Sequence, residues 1–319
     1  MNWVQEIRDA ESRIRPHIRE TPVEQSWFLS QEGGAEVYLK LEHLQHTGSF
    51  KLRGASNRLR TLPPAALAQG VIAASTGNHG MAVCYAARQL RTRATIYMAQ
   101  NAHPAKLALI RALGGEVVFH GDNPVHAELQ ARRVAEQTGV AFVSPYNDPA
   151  VIAGQGTIGI ELERQLGAVD AVFISVGGGG LISGISSYLK AVNPKVRIVG
   201  CWPENSRVMY ECIRAGTVIE YPEQPTISDS TAGGVETGAI TLDLCRSLID
   251  DSVLVSEDEI LRAMKIVLER ERWLVEGAAG VAVAAYRKRK DAYAGKRVVL
   301  LLCGRNIAPE KAQKIWQVA

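Results

Sequence analysis

The chain has 319 residues, 46% of them hydrophobic and 22% charged, with a net charge of +3. That length accommodates one or two domains with a full core, the charge is too small to argue for nucleic acid or an anionic membrane as partner, and no apolar run is long enough to span a bilayer. The five cysteines (Cys84, Cys201, Cys212, Cys245, Cys303) form no CxxC pair. This argues against a disulfide frame or a zinc site and, with an N-terminus lacking a signal-peptide pattern, sets the expectation of a cytoplasmic protein.

Apolar spacing over residues 4–14 predicts a first helix stopped near Pro16, and Thr21-Pro22 an extended entry. The run 37–41 reads as a strand that leads, through a polar loop, into Thr47-Gly48-Ser49-Phe50-Lys51-Leu52-Arg53-Gly54-Ala55. Ser49, or Gly48 in its place, is the expected N-cap of a helix with Lys51 in its first turn. A cation there opposes the helix dipole and favours the neutral amine, a nucleophile able to form a Schiff base with an aldehyde cofactor. Phe50 offers an apolar face for a flat ring.

After Pro63-Pro64, strand-like runs at 71–74, 94–98, 116–119 and 141–143 alternate with helical segments at 79–89, 104–113 and 124–137. The alternation resumes with a helix over 156–165, a strand over 171–176, a helix over 181–191 and a strand over 196–201. This is a βαβ series, hence an α/β protein built on parallel twisted sheets. Residues 202–231 read as irregular, and two helices follow at 257–272 and 278–290. The second ends in Arg287-Lys288-Arg289-Lys290, a solvated helix C-terminus that the dipole favours. The run 297–303 is almost purely apolar and is placed centrally in a sheet.

Ligands of open parallel sheets sit at the carboxyl ends of the strands, and four unusual loops fall there. Ser75-Thr76-Gly77-Asn78-His79-Gly80 follows a strand and opens a helix, so its free N–H groups suit a carboxylate. Val176-Gly177-Gly178-Gly179-Gly180-Leu181 presents a concave row of amides that suits a phosphate, without the Lys-Ser/Thr of a Walker loop or GxGxxG spacing. Ala153-Gly154-Gln155-Gly156-Thr157 reads as a helix entry, a weak signal by itself. Cys303-Gly304-Arg305-Asn306 ends the last strand with a thiol able to bond a heterocyclic nitrogen.

The ordered set SFKLRGA, STGNHG, AGQGT, GGGG and CGRN, spread from about Ile14 to Asn306, resembles the fold type II pyridoxal-phosphate enzymes of the serine/threonine dehydratase and serine racemase family. The resemblance implies a tryptophan synthase β-like fold of two open parallel-sheet α/β domains: a large cofactor domain (1–64 and 148–319) and a small mobile one (65–147) that closes over substrate. It implies pyridoxal 5'-phosphate as cofactor, with Lys51 as the Schiff-base lysine and Phe50 packing on the ring. Asn78 would meet the phenolic oxygen, Gly177, Gly178, Gly179, Gly180 and Leu181 the phosphate, and Cys303 the pyridine nitrogen. Ser75, Thr76, Asn78, His79 and Gln155 would bind an amino-acid substrate, and two chains would form a homodimer. The implied reaction is loss of a β-hydroxyl and of the amine from a β-hydroxy amino acid, giving a 2-oxo acid and ammonia, with Lys51 taking the α-proton.

Three departures from the family pattern bear on this. Thr76 stands where serine racemase has a serine acting as acid/base on the ring face opposite the lysine, and its extra methyl restricts rotation, so dehydration is favoured over racemisation. Trp202 and Val208 occupy the positions of an acidic cation site, so no metal is expected. Arg305 replaces a glycine beside the pyridine-facing residue, bringing a cation toward the ring. KLEHLQHTGSFKLRGA, Asp229-Ser230, Val275-Glu276-Gly277-Ala278 and Gly304-Arg305-Asn306-Ile307 further resemble a hydroxyectoine-utilisation dehydratase branch, proposed to act on a hydroxyectoine-derived compound. His43 and His46, in the first of these segments, are either substrate-selecting or ordinary surface-loop histidines. The rival readings are an amino-acid racemase, a cysteine-synthase-like β-replacement enzyme and a ligand-binding protein that keeps the fold without turnover.

Overall fold

The computed structural model describes residues 1–318 apart from Thr76, Asn101 and His103, with the backbone alone of Ala105 and Lys106. In chain order, α1 (Trp3–Ile14), β1 (Val23–Gln25), α2 (Trp27–Gly33), β2 (Glu36–Lys40), α3 (Lys51–Arg60) and α4 (Pro64–Gln69) lead into an alternating run. This run comprises β3 (Val71–Ala74), α5 (Asn78–Gln89), β4 (Ala94–Met98), α6 (Pro104–Ala112), β5 (Glu116–Phe119), α7 (Pro124–Thr138) and β6 (Ala141–Phe142). Then come α8 (Pro149–Leu166), β7 (Ala171–Ser175), α9 (Gly180–Val192), β8 (Arg197–Pro203), α10 (Val208–Ala215) and α11 (Ile240–Leu248). β9 (Asp251–Val255), α12 (Glu257–Ile266), α13 (Gly277–Arg289), β10 (Arg297–Leu301) and α14 (Pro309–Gln317) complete the order.

These strands form two sheets, one of order β1-β2-β10-β7-β8-β9 and one of order β5-β4-β3-β6. All pairings are parallel except β1 with β2, giving the expected class of two open α/β sheets. Strands such as β3 and β7 are buried at every residue, as a parallel sheet covered by helices on both faces requires. The apolar β10 lies between β2 and β7, near the middle of the larger sheet. Separate hydrophobic cores form around Phe173, Val299 and Leu301 in one sheet and around Val71, Ala73 and Ile96 in the other. No helix among the described residues is long and apolar enough to cross a membrane.

Several local expectations are corrected. The AGQGT stretch is not a helix entry: α8 begins at Pro149, capped by the Asp148 carboxylate on Ala150 and Val151 N–H, and the stretch lies inside it. Its glycines let helices touch, since a Cβ on Gly154 would meet Arg53 O at 2.6 Å and one on Gly156 would meet Ile7 at 2.6 Å. The stretch 202–231 is less irregular than expected, because β8 runs on to Pro203 and α10 follows. The helix expected over 257–272 turns into a π-helical segment at Val267–Glu271 and stops at Arg272, whose φ of 63° ends it. The short β1 and β9 were not legible as strands. At the C-terminus of α13, the basic cluster is held by acids: Arg287 pairs with Glu32 and Lys288 with Glu259.

Candidate active site

The loop before Lys51 is fastened to the end of the last strand. Ser49 and Gly304 form an isolated antiparallel bridge, Phe50 N–H donates to Cys303 O at 3.1 Å and Arg305 N–H to Gly48 O at 2.9 Å. This pairing overrides the expected cap. Ser49 is committed to the bridge, the helix boundary falls at Phe50 with no side-chain cap, and Lys51 is the first residue of α3. The Lys51 side chain therefore enters the molecule beside Cys303, and its Nζ donates to Pro145 O at 2.7 Å and lies 5.3 Å from the centre of the Phe50 ring. Burial pushes its ammonium down to about 8, against the opposing pull of Cys303 and Glu276.

Opposite, β7 delivers the glycine run to the start of α9. The first intrahelical bond is Ser183 N–H to Gly179 O, so the N–H groups of Gly180, Leu181 and Ile182 have no partner within the helix. They line a cavity together with Phe50, Lys51, Asn78, Tyr146, Glu276 and Cys303. No side chain fits on this loop. A Cβ on Gly177 would meet Thr231 O at 2.8 Å and one on Gly178 the Tyr146 ring at 2.5 Å, while Gly179 has a φ of 85°. Gly179→Ala pays for a left-handed alanine as well as a clash with Cys245 Sγ at 2.8 Å. It is expected to weaken cofactor affinity by roughly 10- to 100-fold, measured by titrating the apoprotein.

Cys303 is buried, its sulfur accepts from Ser175 Oγ at 3.6 Å, and burial holds the thiol protonated. Asn78, the first residue of α5, lines the cavity with its amide held by other side chains. Nδ2 donates to both Glu276 carboxylate oxygens at 2.9 and 3.0 Å, and Oδ1 accepts from Asn306 Nδ2 at 2.5 Å. Glu276 also accepts from Ser230 Oγ at 2.6 Å and Asn306 N–H at 3.1 Å. Burial pushes its carboxyl upward. Among the residues expected to meet substrate, Ser75 lies on the same loop as Asn78 and accepts the Gly77 N–H at 3.1 Å, and Thr76 lies outside the described residues.

Other site expectations are revised. The His79 ring is buried, bonded to Val143 O at 2.8 Å, and burial lowers it to about 3. The imidazole is therefore committed to Val143 O. Gln155 does not line the cavity: it is 1% exposed and accepts the Gly54 N–H at 3.1 Å, joining α8 to α3. Arg305 is exposed and also absent from the cavity lining, so it brings no cation to the cavity wall. His43 is not a surface residue but 1% exposed, edge-on to Trp273 at 5.0 Å, whereas His46 is exposed and stacked on Tyr85. Trp202 and Val208, at the two family cation positions, are buried apolar side chains. Sequence reasoning assigned no role to Tyr146 or Glu276. The signals for Glu276 were its place in Val275-Glu276-Gly277-Ala278 and an acid directly before the small residues that begin α13.

A buried amine, a facing apolar ring and a row of helix-start amides fit an aromatic aldehyde that carries a phosphate. The comparisons agree. The family model described as "Pyridoxal-phosphate dependent enzyme" matches residues 14–304. The L-threonine ammonia-lyase of Thermotoga maritima is 40% identical over 307 residues, covering 96% of this chain and 76% of that protein. The processed threonine deaminase isoform 2 of Solanum lycopersicum superposes with a TM-score of 0.95 at 35% identity, over 99% of this chain and 93% of that one. Maize serine racemase superposes with a TM-score of 0.92 at 31% identity, over 98% and 95%. The chain therefore belongs to the pyridoxal-phosphate-dependent enzymes, within the fold type II dehydratase and racemase family.

Proposed function

We propose that the protein is an ammonia-lyase that converts a β-hydroxy amino acid of the threonine/serine type into a 2-oxo acid and ammonia. The observation that carries this reading is the Lys51 amine enclosed between the glycine run and Cys303 in one cavity, with relatives bearing threonine ammonia-lyase and threonine deaminase names. Bound pyridoxal phosphate supplies the electron sink that lets the bond between the α-carbon and its hydrogen break. The N–H groups of Gly180, Leu181 and Ile182 would hold the phosphate, and Phe50 would pack against the ring. Lys51 Nζ takes the α-proton; an enclosed amine whose ammonium is pushed down to about 8 has a far larger neutral fraction near neutral pH than an ordinary lysine, which makes it a competent base. Cys303, held as a neutral thiol, would face the pyridine nitrogen without the charge needed to keep that nitrogen protonated. The N–H groups at the start of α5 receive the substrate carboxylate, with Ser75, Thr76, Asn78 and His79 as the binding loop. Loss of the β-hydroxyl as water followed by hydrolysis balances as one 2-oxo acid and one ammonia per substrate.

In this reading residues 65–147, which contain the four-stranded sheet, move as a small domain against the remainder and close over substrate. The contacts that closure would make and break include Lys51 with Pro145 O, Asn78 with Glu276, and Arg132 with Glu236 at 2.8 Å. The narrower substrate we propose is a hydroxyectoine-derived β-hydroxy compound. Ammonia release from L-serine, L-threonine, the 3-hydroxyaspartates and de-cyclised hydroxyectoine derivatives tests both levels. Release confined to the last class supports the narrower substrate, release from threonine or serine supports a general dehydratase, and inversion of serine without ammonia would replace both with a racemase.

We also propose a homodimer joined through the face that carries Trp27 and Leu274, which are 76% and 44% exposed. Their segments are pinned together: Ser26 Oγ donates to Glu271 at 2.6 Å, and Arg270 lies over the Phe28 ring at 5.1 Å. Large apolar side chains left in water on a rigid face suit an interface between two copies. Sedimentation of Trp27→Glu is expected to show monomers where the parent protein sediments as a dimer. An unchanged dimer would place the interface elsewhere.

A further inference from the structure

We propose that Glu276 is a positioning residue that fixes the Asn78 amide so that it presents a hydrogen-bond donor to the cofactor's phenolic oxygen. The inference rests on the assignment of Asn78 to that oxygen and extends it to a residue that does not react.

The geometry leaves the amide one orientation. Thr47 O, which can only accept, takes one hydrogen of Asn306 Nδ2 at 2.9 Å, and the same nitrogen donates to Asn78 Oδ1 at 2.5 Å. At the other end the Glu276 carboxylate, again an acceptor, takes Asn78 Nδ2 at 2.9 and 3.0 Å. The Thr47 carbonyl end cannot reverse, so the oxygen of Asn78 faces Asn306 and its nitrogen faces Glu276. Nδ2 carries two hydrogens. One serves the carboxylate, and the second is left for the cavity that Asn78 lines. A flipped amide would instead set a carbonyl oxygen against a phenolate.

Further observations show that the carboxylate is placed for this task and not for stability. Glu276 is 2% exposed and pairs with no lysine or arginine among the described residues, its partners being the neutral donors Asn78, Ser230 Oγ and Asn306 N–H. A buried carboxyl hydrogen-bonded only by neutral donors is costly to ionise. Glu276 stands at the N-cap of α13, yet its side chain makes no capping bond to that helix. Gly304 has no side chain where the carboxylate sits: a Cβ there would meet the Glu276 carboxyl carbon at 2.8 Å. Asn78 starts α5 beside the small sheet, while Glu276 and Asn306 belong to the large-sheet side, so the amide is oriented only when the two sides are together.

The test compares holoenzymes of the parent protein, Asn78→Ala, Glu276→Gln, their double variant and Gly304→Ala, the last displacing the carboxylate without removing it. The readouts are cofactor dissociation and the visible absorbance of the lysine-linked cofactor, with thermal unfolding of the apoproteins as control. Glu276→Gln and Gly304→Ala are expected to weaken cofactor affinity roughly tenfold, the scale of one hydrogen bond, and to shift the absorbance as Asn78→Ala does. The double variant should be no worse than Asn78→Ala alone. Parent-like affinity and spectrum in Asn78→Ala would remove the role of Asn78 and this inference with it. An altered Asn78→Ala beside a parent-like Glu276→Gln, or strictly additive effects, would overturn the inference while leaving Asn78 in place.

Discussion

Lys51→Ala is expected to lower ammonia release by at least about 10³-fold while the protein stays folded, because in the proposed reaction the variant loses both the covalent anchor and the base that takes the α-proton. Circular dichroism verifies the fold, and the visible band of lysine-linked cofactor should be absent. A variant retaining a tenth of the parent rate would exclude Lys51 as the reacting amine. The pH dependence of the parent protein is set by the same group. Burial pushes the Lys51 ammonium down to about 8, so roughly a quarter of the amine is neutral at pH 7.5, against about one in a thousand for an ordinary lysine. Capture of added pyridoxal phosphate by the apoprotein should accelerate about tenfold per pH unit below that value and level off above it. A capture rate still climbing near pH 10 would mean that the amine is not shielded. The stability linkage has the matching sign. The folded state binds Lys51's proton less tightly than the unfolded chain does, so the cost of burying the charge is present in full below about pH 8. It is relieved as pH rises toward the unfolded value.

Arg53→Met should cost about 3–5 kcal/mol, the scale seen when one partner of a buried ion cluster is removed, and lower the melting temperature by on the order of 10 °C. Two residues after Lys51, Arg53 is fully buried. It bridges Glu42 through Nε at 2.8 Å and Glu161 through a second nitrogen at 2.7 Å. Lys40 joins the cluster at 2.5 Å from Glu161. The partners hold both charge signs in place: burial alone would raise the Glu161 carboxyl, and Arg53 and Lys40 reverse that to well below the usual range. Without the guanidinium, Glu42 loses its ion-pair partner, and α3 loses its ionic tie to Glu161 of α8. Thermal unfolding measures the loss, and a shift below 2 °C would show that the cluster relaxes around the missing charge. The cofactor affinity of the same variant should also fall, since α3 carries Lys51.

The alternation of four-residue apolar runs with helical spacing made the two parallel sheets legible, because a strand buried on both faces has to be apolar throughout while its flanking helices keep one polar face. The glycine run before α9 and the lysine after Gly48-Ser49-Phe50 were also legible. The first needs backbone room that only glycine leaves, and the second places an amine at a helix start. What the sequence could not show was set by partners distant in the chain. Ser49 failed as a cap because Gly304, far along the chain, takes its backbone in a bridge. The glycines around Gln155 looked like a loop because nothing local distinguishes a flexible turn from a helix flank that must admit another helix. His79, read as a substrate ligand, is claimed by Val143 O, a bond that exists only once the start of α5 meets the chain just after β6. Glu276 had no role until Asn78 and Asn306 arrived from opposite sides of the molecule. The sequence by itself determined the sheet class and singled out the lysine and the glycine run that line one cavity, since each is encoded in a short stretch whose residue types answer a local demand. Only the tertiary structure decided which polar groups face the cavity and which serve packing, because a hydrogen bond across the fold depends on distance and burial, which no local spacing specifies.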